Sequence, residues 1–129
     1  MKHLILIAGV IGLVGAPMAA HHSFSEFYLE DDTIEVEGEI VEFQYRNPHS
    51  WVHVVAADPF GERKTYAAEW VGTSRLEREG ITKTFLRPGE QVRIWASPNR
   101  NPNDTRIRLK RIQRRSPRWE WGQVRRETR

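Results

Sequence analysis

Hydrophobic and polar positions alternate most regularly over residues 33–45. One face of this segment carries Ile34, Val36, Gly38 and Ile40, and the other face carries Glu35, Glu37 and Glu39. Alternation with a period of two is typical of a strand with one buried face. The alternation shifts where Ile40 and Val41 are adjacent, and the inward set continues as Val41, Phe43 and Tyr45. Because Gly38 comes just before this shift, we predict a bent and bulged first strand.

Four later segments have the composition of strands, and a short helical segment separates them into two pairs. The strands are predicted at residues 50–57, 64–71, 91–96 and 105–113. Ser74, with Glu77 three residues later, fits a capping box and predicts a short helix that ends at Gly80. Three strands, a helix and two strands are the element order of the OB-fold. We therefore predict an all-β fold, a small five-stranded OB-like Greek-key barrel with one short connecting helix, and a sandwich of another topology as the alternative.

Residues 1–20 have the pattern of a secretory signal peptide. Lys2 supplies the positive start, residues 4–15 form the apolar centre, and small residues dominate positions 16–20 at the exit. The apolar run is shorter than the ~20 residues that span a bilayer, so a retained membrane anchor is the less favoured alternative. We expect cleavage after Ala20, a soluble mature protein and a periplasmic or secreted location.

The rest of the chain is predicted to form one domain followed by a tail. An N-terminal arm and the barrel occupy residues 21–113, and residues 114–129 form a basic C-terminal tail that contains Trp119 and Trp121. The chain has no cysteine, which excludes disulfides and thiolate zinc sites. Stability must therefore come from burial, to which the aromatic side chains contribute most.

Charge is distributed unevenly along the chain. Residues 21–105 hold nine Lys or Arg against fifteen Asp or Glu, whereas residues 106–129 hold ten against two. In an exported protein such a basic segment is expected to meet the protein's own acidic face, anionic lipid or an acidic partner. Aromatic and basic residues together also suit single-stranded nucleic acid, but export argues against that partner, and we predict none.

Four histidines suggest a metal site. They are His21, His22, His49 and His53. Cleavage after Ala20 would give His21 a free amine beside its imidazole, so that one residue would offer two nitrogen ligands. Cleavage after Ala19 would instead leave a free amine with His22 third in the chain, a pattern in which backbone amides wrap copper or nickel. Nitrogen ligation favours copper first and zinc second, so we predict a copper site at these four histidines.

Each candidate ligand also has a purely structural interpretation. His21 and His22 are then polar residues of a frayed terminus. His49 is then a turn residue, and His53 is an interior histidine bonded to polar groups. Glu69 is predicted to point outward from the third strand, where a glutamate is ordinarily solvated. The alternative is that Glu69 acts as a metal ligand or as a general base.

A second hypothesis is a non-catalytic module that binds a ligand or a partner without metal. Its groove would be lined by Tyr45, Trp51, Trp70 and Trp95 and closed by the loop at residues 97–104. Aromatic walls with few polar groups suit apolar or sugar-like ligands. We expect no enzyme activity, because the sequence shows no nucleophile with its base, no phosphate-binding glycine loop and no paired carboxylates.

Several short runs resemble one family of small exported bacterial proteins, domain-of-unknown-function family 6152. They are His-His-Ser-Phe at residues 21–24, the segment 38–43, Asn-Pro-His-Ser-Trp at residues 47–51, and Leu-Arg-Pro-Gly-Glu-Gln-Val at residues 86–92. The resemblance implies a compact β fold outside the cytoplasm and no established activity. Two features depart from the family pattern: Glu69 directly precedes Trp70, where the tryptophan usually comes a few residues earlier, and the basic tail is additional.

Overall fold

The computed structural model describes residues 24–123. The elements are a short 3-10 helix (Phe24–Glu26), β1 (Ile34–Gln44), β2 (Trp51–Ala57), β3 (Arg63–Glu69), α1 (Thr73–Arg78), β4 (Gln91–Ser97), β5 (Arg106–Arg114) and β6 (Trp119–Gly122). The predicted signal peptide, His21 and His22 lie outside the described residues. Within residues 24–123, no helix is long and apolar enough to cross a membrane.

The first five strands close into a barrel. β1 pairs antiparallel with both β2 and β4, and further antiparallel pairs join β2 to β3 and β4 to β5. The barrel closes where β3 pairs parallel with β5, from Ala67 opposite Arg106 to Glu69 opposite Arg108. This order, with α1 between β3 and β4, is the five-stranded Greek-key arrangement of the OB-fold. The predicted fold class is confirmed.

Alternation along each strand determines which side chains fill the barrel. On β2 the side chains of Val52, Val54 and Ala56 are buried, so Trp51 and His53 lie on the opposite, outer face. Burial of an aliphatic side chain of this size stabilises the fold by roughly 1.5–3 kcal/mol. The side chains that point into the barrel therefore form its hydrophobic core.

The predicted bulge in β1 is present, but it changes one inward assignment. The pairing with β2 shifts between Ile40 and Glu42, which leaves Val41 as the extra residue of the bulge. Val41 is 43% exposed, so the prediction that it points inward is wrong: a bulged residue leaves the ladder and turns with the bent strand. Gly38 allows the close approach of β2, since a Cβ there would lie 2.1 Å from the Val55 carbonyl oxygen.

The start of α1 differs from the predicted capping box. The helix begins at Thr73 after Gly72, which has no side chain to cap it. Asn47 from the β1–β2 connection takes this role, because its Oδ1 accepts a hydrogen bond of 3.0 Å from the Thr73 amide. Glu77 instead accepts a hydrogen bond of 3.1 Å from the Tyr45 hydroxyl. The predicted capping box is therefore replaced by contacts from residues distant in sequence.

β6 is a strand that the hydrophobic pattern did not predict. Its four residues pair with the end of β5, and Trp119 and Trp121 pack against the barrel core. Arg114, at the end of β5, is buried and donates hydrogen bonds to the carbonyl oxygens of Phe85 at 2.7 Å and Pro117 at 2.9 Å. A four-residue alternation among arginines is too short a signal for sequence analysis, so tertiary packing decides this strand.

Candidate functional site

The chain before β1 forms an arm that is fixed to the loop between β4 and β5. The Leu29 amide donates to the Pro98 carbonyl at 3.0 Å, and the Arg100 amide donates to the Phe27 carbonyl at 2.9 Å. Tyr28 forms a β-bridge with Asn99 and is only 3% exposed. The arm is therefore docked on the barrel.

Glu69 joins the arm to the β1–β2 connection. One carboxylate oxygen accepts a hydrogen bond of 2.5 Å from the Tyr28 hydroxyl, and the other lies 2.6 Å from Nδ1 of His49. The Glu69 side chain is 13% exposed and that of His49 is 37% exposed, so the carboxylate is half-buried at the edge of the barrel while the imidazole remains accessible to water. Burial, and then the hydrogen bond to Glu69 and its charge, raise the pKa of Tyr28 above its ordinary value. Tyr28 therefore remains a hydrogen-bond donor to Glu69 at neutral pH.

Backbone pairing explains why His49 lies beside Glu69. The ladder between β2 and β3 continues past Trp51, because the Ser50 amide donates to the Val71 carbonyl at 3.1 Å and the Trp70 amide donates to the Ser50 carbonyl at 2.8 Å. His49 is the next residue back along the chain, at the same end of the barrel as Glu69. The side chain of Glu69 thus contacts the arm through Tyr28 and the β1–β2 connection through His49.

Phe24 extends this cluster toward the N-terminus. Its ring centroid lies 5.2 Å from that of the His49 imidazole. The guanidinium of Arg108 stacks on the Phe24 ring, with its central carbon 3.4 Å from the ring centroid. The same guanidinium forms an ion pair with Glu30, with a nitrogen–oxygen distance of 2.8 Å. Stacking of a cation on an aromatic ring stabilises such a contact by about 0.5–2 kcal/mol. The Phe24 end of the arm is therefore held against His49.

A cleft of about 520 Å³ opens beside His49. Besides Phe24, His49 and Glu69, its lining includes Trp70, Arg75, Arg108, Lys110 and Trp121. Lys110 donates hydrogen bonds to the carbonyl oxygens of Glu30 at 2.7 Å and Asp32 at 2.8 Å, not to a carboxylate. Burial lowers the pKa of Lys110. The cleft combines an oriented imidazole with cations and aromatic rings.

Trp70, which lines this cleft, has a buried indole N–H without a hydrogen-bond partner in the described residues. The residue is 2% exposed, and within residues 24–123 its indole Nε1 has no hydrogen-bond partner. Its ring contacts Phe43, Trp119 and Trp121, with centroid distances of 6.1, 6.4 and 5.1 Å. Buried indole N–H groups usually have an acceptor, and Trp70 departs from this rule within residues 24–123.

The structure separates the predicted metal ligands. His49 lies in the cleft, whereas Nε2 of His53 lies 4.0 Å from Glu42 on the outer face of β2 and has no hydrogen-bond partner in the described chain. His53 does not line the cleft. Among residues 24–123, no three or more side chains of His, Asp or Glu are grouped to hold a metal ion. The described residues therefore do not form a complete metal centre by themselves.

The four residues of the predicted aromatic groove are also dispersed. Trp70 is in the core and lines the cleft, but Tyr45, Trp51 and Trp95 do not line it. Trp51 is opposite Glu69 in the ladder between β2 and β3. Trp95 lies on the barrel exterior with Arg93 and Arg111 centred 6.0 and 4.5 Å from its ring. Sequence reasoning missed Tyr28 and Arg108, for which no local pattern existed.

The fold and this rim site together define a small OB-fold barrel with a docked N-terminal arm. The family of unknown function DUF6152 matches residues 10–108, and the chain belongs to that family. No curated protein matches the sequence. Among solved structures, the crystal structure of the mitochondrial single-stranded DNA binding protein Rim1 from S. cerevisiae is similar, with a TM-score of 0.46 and 15% identity over 64% of this chain and 92% of that chain.

This comparison corrects one prediction. We expected no nucleic-acid partner, but the similar structure is that of a single-stranded DNA binding protein. The exclusion was wrong, because an expected export signal says nothing about which ligands an OB barrel accepts. At this low identity and TM-score the similarity does not argue that the chain binds DNA.

Proposed function

We propose that the protein is exported and binds a transition metal, copper preferred, through His49 and the histidines at the mature N-terminus. The observation that supports this most directly is the contact between the Phe24 and His49 rings, 5.2 Å apart. Consecutive Cα atoms are about 3.8 Å apart, so two residues of any chain span at most about 8 Å, and His22 is two positions before Phe24 in the sequence. The chain geometry thus allows the imidazole of His22 to reach that of His49.

The surroundings of His49 suit a metal ligand. A histidine that binds a metal through one nitrogen commonly gives the other to a carboxylate, which fixes the tautomer and the ring orientation. Glu69 is placed for this role at 2.6 Å from Nδ1, and Tyr28 holds the second carboxylate oxygen. Nε2 of His49 is then the metal-binding atom, and His21 would add its ring and amine.

Titration of the mature protein with Cu²⁺ at pH 7 by calorimetry tests this proposal. We expect one tight, equimolar site that is weakened at least 100-fold when His21 and His22 are both replaced by alanine. His49→Ala should weaken it at least 10-fold, because one of the nitrogen ligands is lost. His53→Ala is the matched control and should bind as the wild type does. Equal binding by wild type and the His21/His22 double variant would disprove the assignment.

Export and the first residue of the mature chain are tested separately by intact mass. The protein recovered from a bacterial periplasm or medium should have lost residues 1–20, which makes His21 the terminal residue. A mass that retains these residues would contradict the predicted leader. Cleavage after Ala19 would instead keep a free amine, with His22 third in the chain, and cleavage at any other point would remove the terminal amine from the proposed ligand set.

A further inference from the structure

A second cleft, which we call the mouth cleft, lies at the end of the barrel away from His49. It is lined by Ala57 at the end of β2, by Lys64 and Tyr66 near the start of β3, and by the loop between β4 and β5. Its volume is about 550 Å³, within the roughly 300–1,000 Å³ of small-molecule sites. It shares no lining residue with the cleft beside His49. Binding in the mouth cleft is therefore independent of the proposed metal site.

The charged side chains that line the mouth cleft all have partners of opposite charge. They form three ion pairs: Asp58 with Lys64, Glu35 with Arg93, and Asp104 with Arg106. The nitrogen–oxygen distance is 2.9 Å in the first pair and 3.2 Å in the second. An ion that enters a protein cleft loses water and needs an opposite charge to compensate. Because no charge of the lining is left over, the mouth cleft favours a neutral ligand.

Apolar side chains form a large part of the lining. Val36 and Ile107 are buried in the barrel core, and Ile34 and Tyr66 pack against that core. Aliphatic groups and an aromatic ring bind the apolar face of a ligand. A ligand of this cleft therefore needs an apolar face as well as zero net charge.

Three asparagines of the loop between β4 and β5 supply polar groups. Asn99, Asn101 and Asn103 all line the mouth cleft. Oδ1 of Asn99 accepts a hydrogen bond of 2.9 Å from the Asn101 amide, and Oδ1 of Asn101 accepts one of 3.0 Å from the Asn103 amide. Since the backbone N–H is the donor, each of these side chains keeps its NH₂ group available. The two bonds also order the side chains in advance, which lowers the entropic cost of binding.

We propose that the mouth cleft binds a neutral sugar whose hydroxyl groups are equatorial, such as a β-glucoside. Its hydroxyl oxygens accept hydrogen bonds from the NH₂ groups of Asn99 and Asn101, and the C–H face of the ring lies against Tyr66. A wholly apolar ligand would displace water from these NH₂ groups without replacing its hydrogen bonds. A charged ligand would find no unpaired counter-charge. A neutral sugar satisfies both requirements.

Titration of the isotope-labelled mature protein with methyl β-glucoside, followed by NMR in the presence of a chelator, tests the proposal. We expect saturable, equimolar binding that shifts the side-chain amide signals of Asn99 and Asn101. Methyl β-glucuronide has the same ring with a carboxylate added, and it should bind at least about 10-fold more weakly because that charge has no partner. Absence of these shifts, or equal binding of the glucuronide, would overturn the proposal.

A pair of variants examines the asparagine donor. Asn101→Asp keeps the oxygen that accepts the Asn103 amide but replaces the NH₂ group, and it should weaken binding of the glucoside at least about 5-fold. Asn47→Asp is the matched control, because Oδ1 of Asn47 accepts the Thr73 amide in the same way and Asn47 lies outside the lining of the mouth cleft. Equal affinities of the two variants would show that Asn101 does not bind the sugar.

Tyr66→Leu tests the aromatic contact. The variant keeps an apolar side chain but removes the ring, and it should weaken binding of the glucoside at least about 5-fold. Dispersed NMR signals of the variant establish that the barrel is folded. Unchanged affinity in the folded variant would contradict the placement of the sugar ring against Tyr66.

Discussion

Two charged regions of this barrel contrast in how their charges are compensated. On the outer face of β1 and β4, Arg93 lies 3.2 Å from Glu35 and 2.9 Å from Glu37, and Arg115 lies 2.8 Å from Glu37. Each of these cations has an exposed carboxylate partner. At the rim, by contrast, Glu69 contacts a hydroxyl and an imidazole, while Lys110 contacts carbonyl oxygens.

This difference shows that charge density alone does not mark a site. Exposed ion pairs contribute about 0–1 kcal/mol each and are weakened by salt. The bond between Glu69 and Tyr28 should have a larger effect, because Tyr28 is 3% exposed and its hydroxyl has little access to water if the carboxylate is removed. On the outer face Glu35 and Glu37 are thus paired with Arg93 and Arg115, whereas Glu69 at the rim contacts the hydroxyl of Tyr28 and the imidazole of His49.

Among variants that keep all the proposed ligands, Glu69→Gln should have the largest effect on copper affinity. The neutral amide of glutamine offers one acceptor oxygen where the carboxylate offers two, and an uncharged oxygen accepts a weaker hydrogen bond, so the His49 ring is held less firmly. Loss of such a supporting carboxylate typically weakens metal binding by about 10–100-fold. Glu37→Gln, on the outer face, is the control for removal of one negative charge. If both variants bind Cu²⁺ equally in calorimetry, Glu69 does not position His49.

Tyr28→Phe should have a smaller effect, on stability. The variant loses the buried hydrogen bond to Glu69, which contributes about 1–3 kcal/mol because the acceptor is charged. Urea denaturation followed by tryptophan fluorescence measures the change. An unchanged denaturation midpoint would show that the arm does not depend on this bond. Tyr45→Phe, which loses a more exposed hydrogen bond to Glu77, serves as the comparison.

The same tyrosine predicts a pH dependence. Its pKa is raised in the folded state, chiefly by burial, so above pH ~10 the unfolded chain releases this proton while the folded chain retains it. The stability of the wild type should therefore fall as pH rises above ~10, and Tyr28→Phe should lack this contribution. Parallel curves for the two proteins between pH 9 and 11 would contradict the assignment.

The smallest expected effect is that of Arg115→Gln. This removes an exposed ion pair with Glu37, so the free energy of unfolding should change by less than about 1 kcal/mol. Any change should disappear in 1 M NaCl, where the screening length is about 3 Å. A large change that persists in salt would mean that the outer face is not merely a solvated charge network.

Much of the fold was predictable, because strand burial is a local property. The inward sets of β2 and β5 follow directly from side-chain alternation. The bulge in β1 was visible as a shift of phase near Gly38, although the orientation of Val41 depended on which residue leaves the ladder. β6 and the Asn47 cap of α1 were not predictable, since both depend on contacts between distant segments.

The candidate site was predictable only in part. His49 was identified because histidines are few and clustered in sequence, but His53 shared that signal and lies elsewhere. Glu69 could be named only as one exposed glutamate among several. Its distinction comes from Tyr28, 41 residues earlier in the chain, and from the Ser50 pairing that brings His49 alongside.

The sequence by itself determined the class of barrel and the family, because alternation, turn residues and short motifs are local features of the chain. Only the tertiary structure decided which charges meet. Closure of β3 on β5 and docking of the arm place Glu69, Tyr28, His49 and Phe24 at one rim. Interactions between side chains fall off within a few ångströms, so spacing along the sequence cannot establish them.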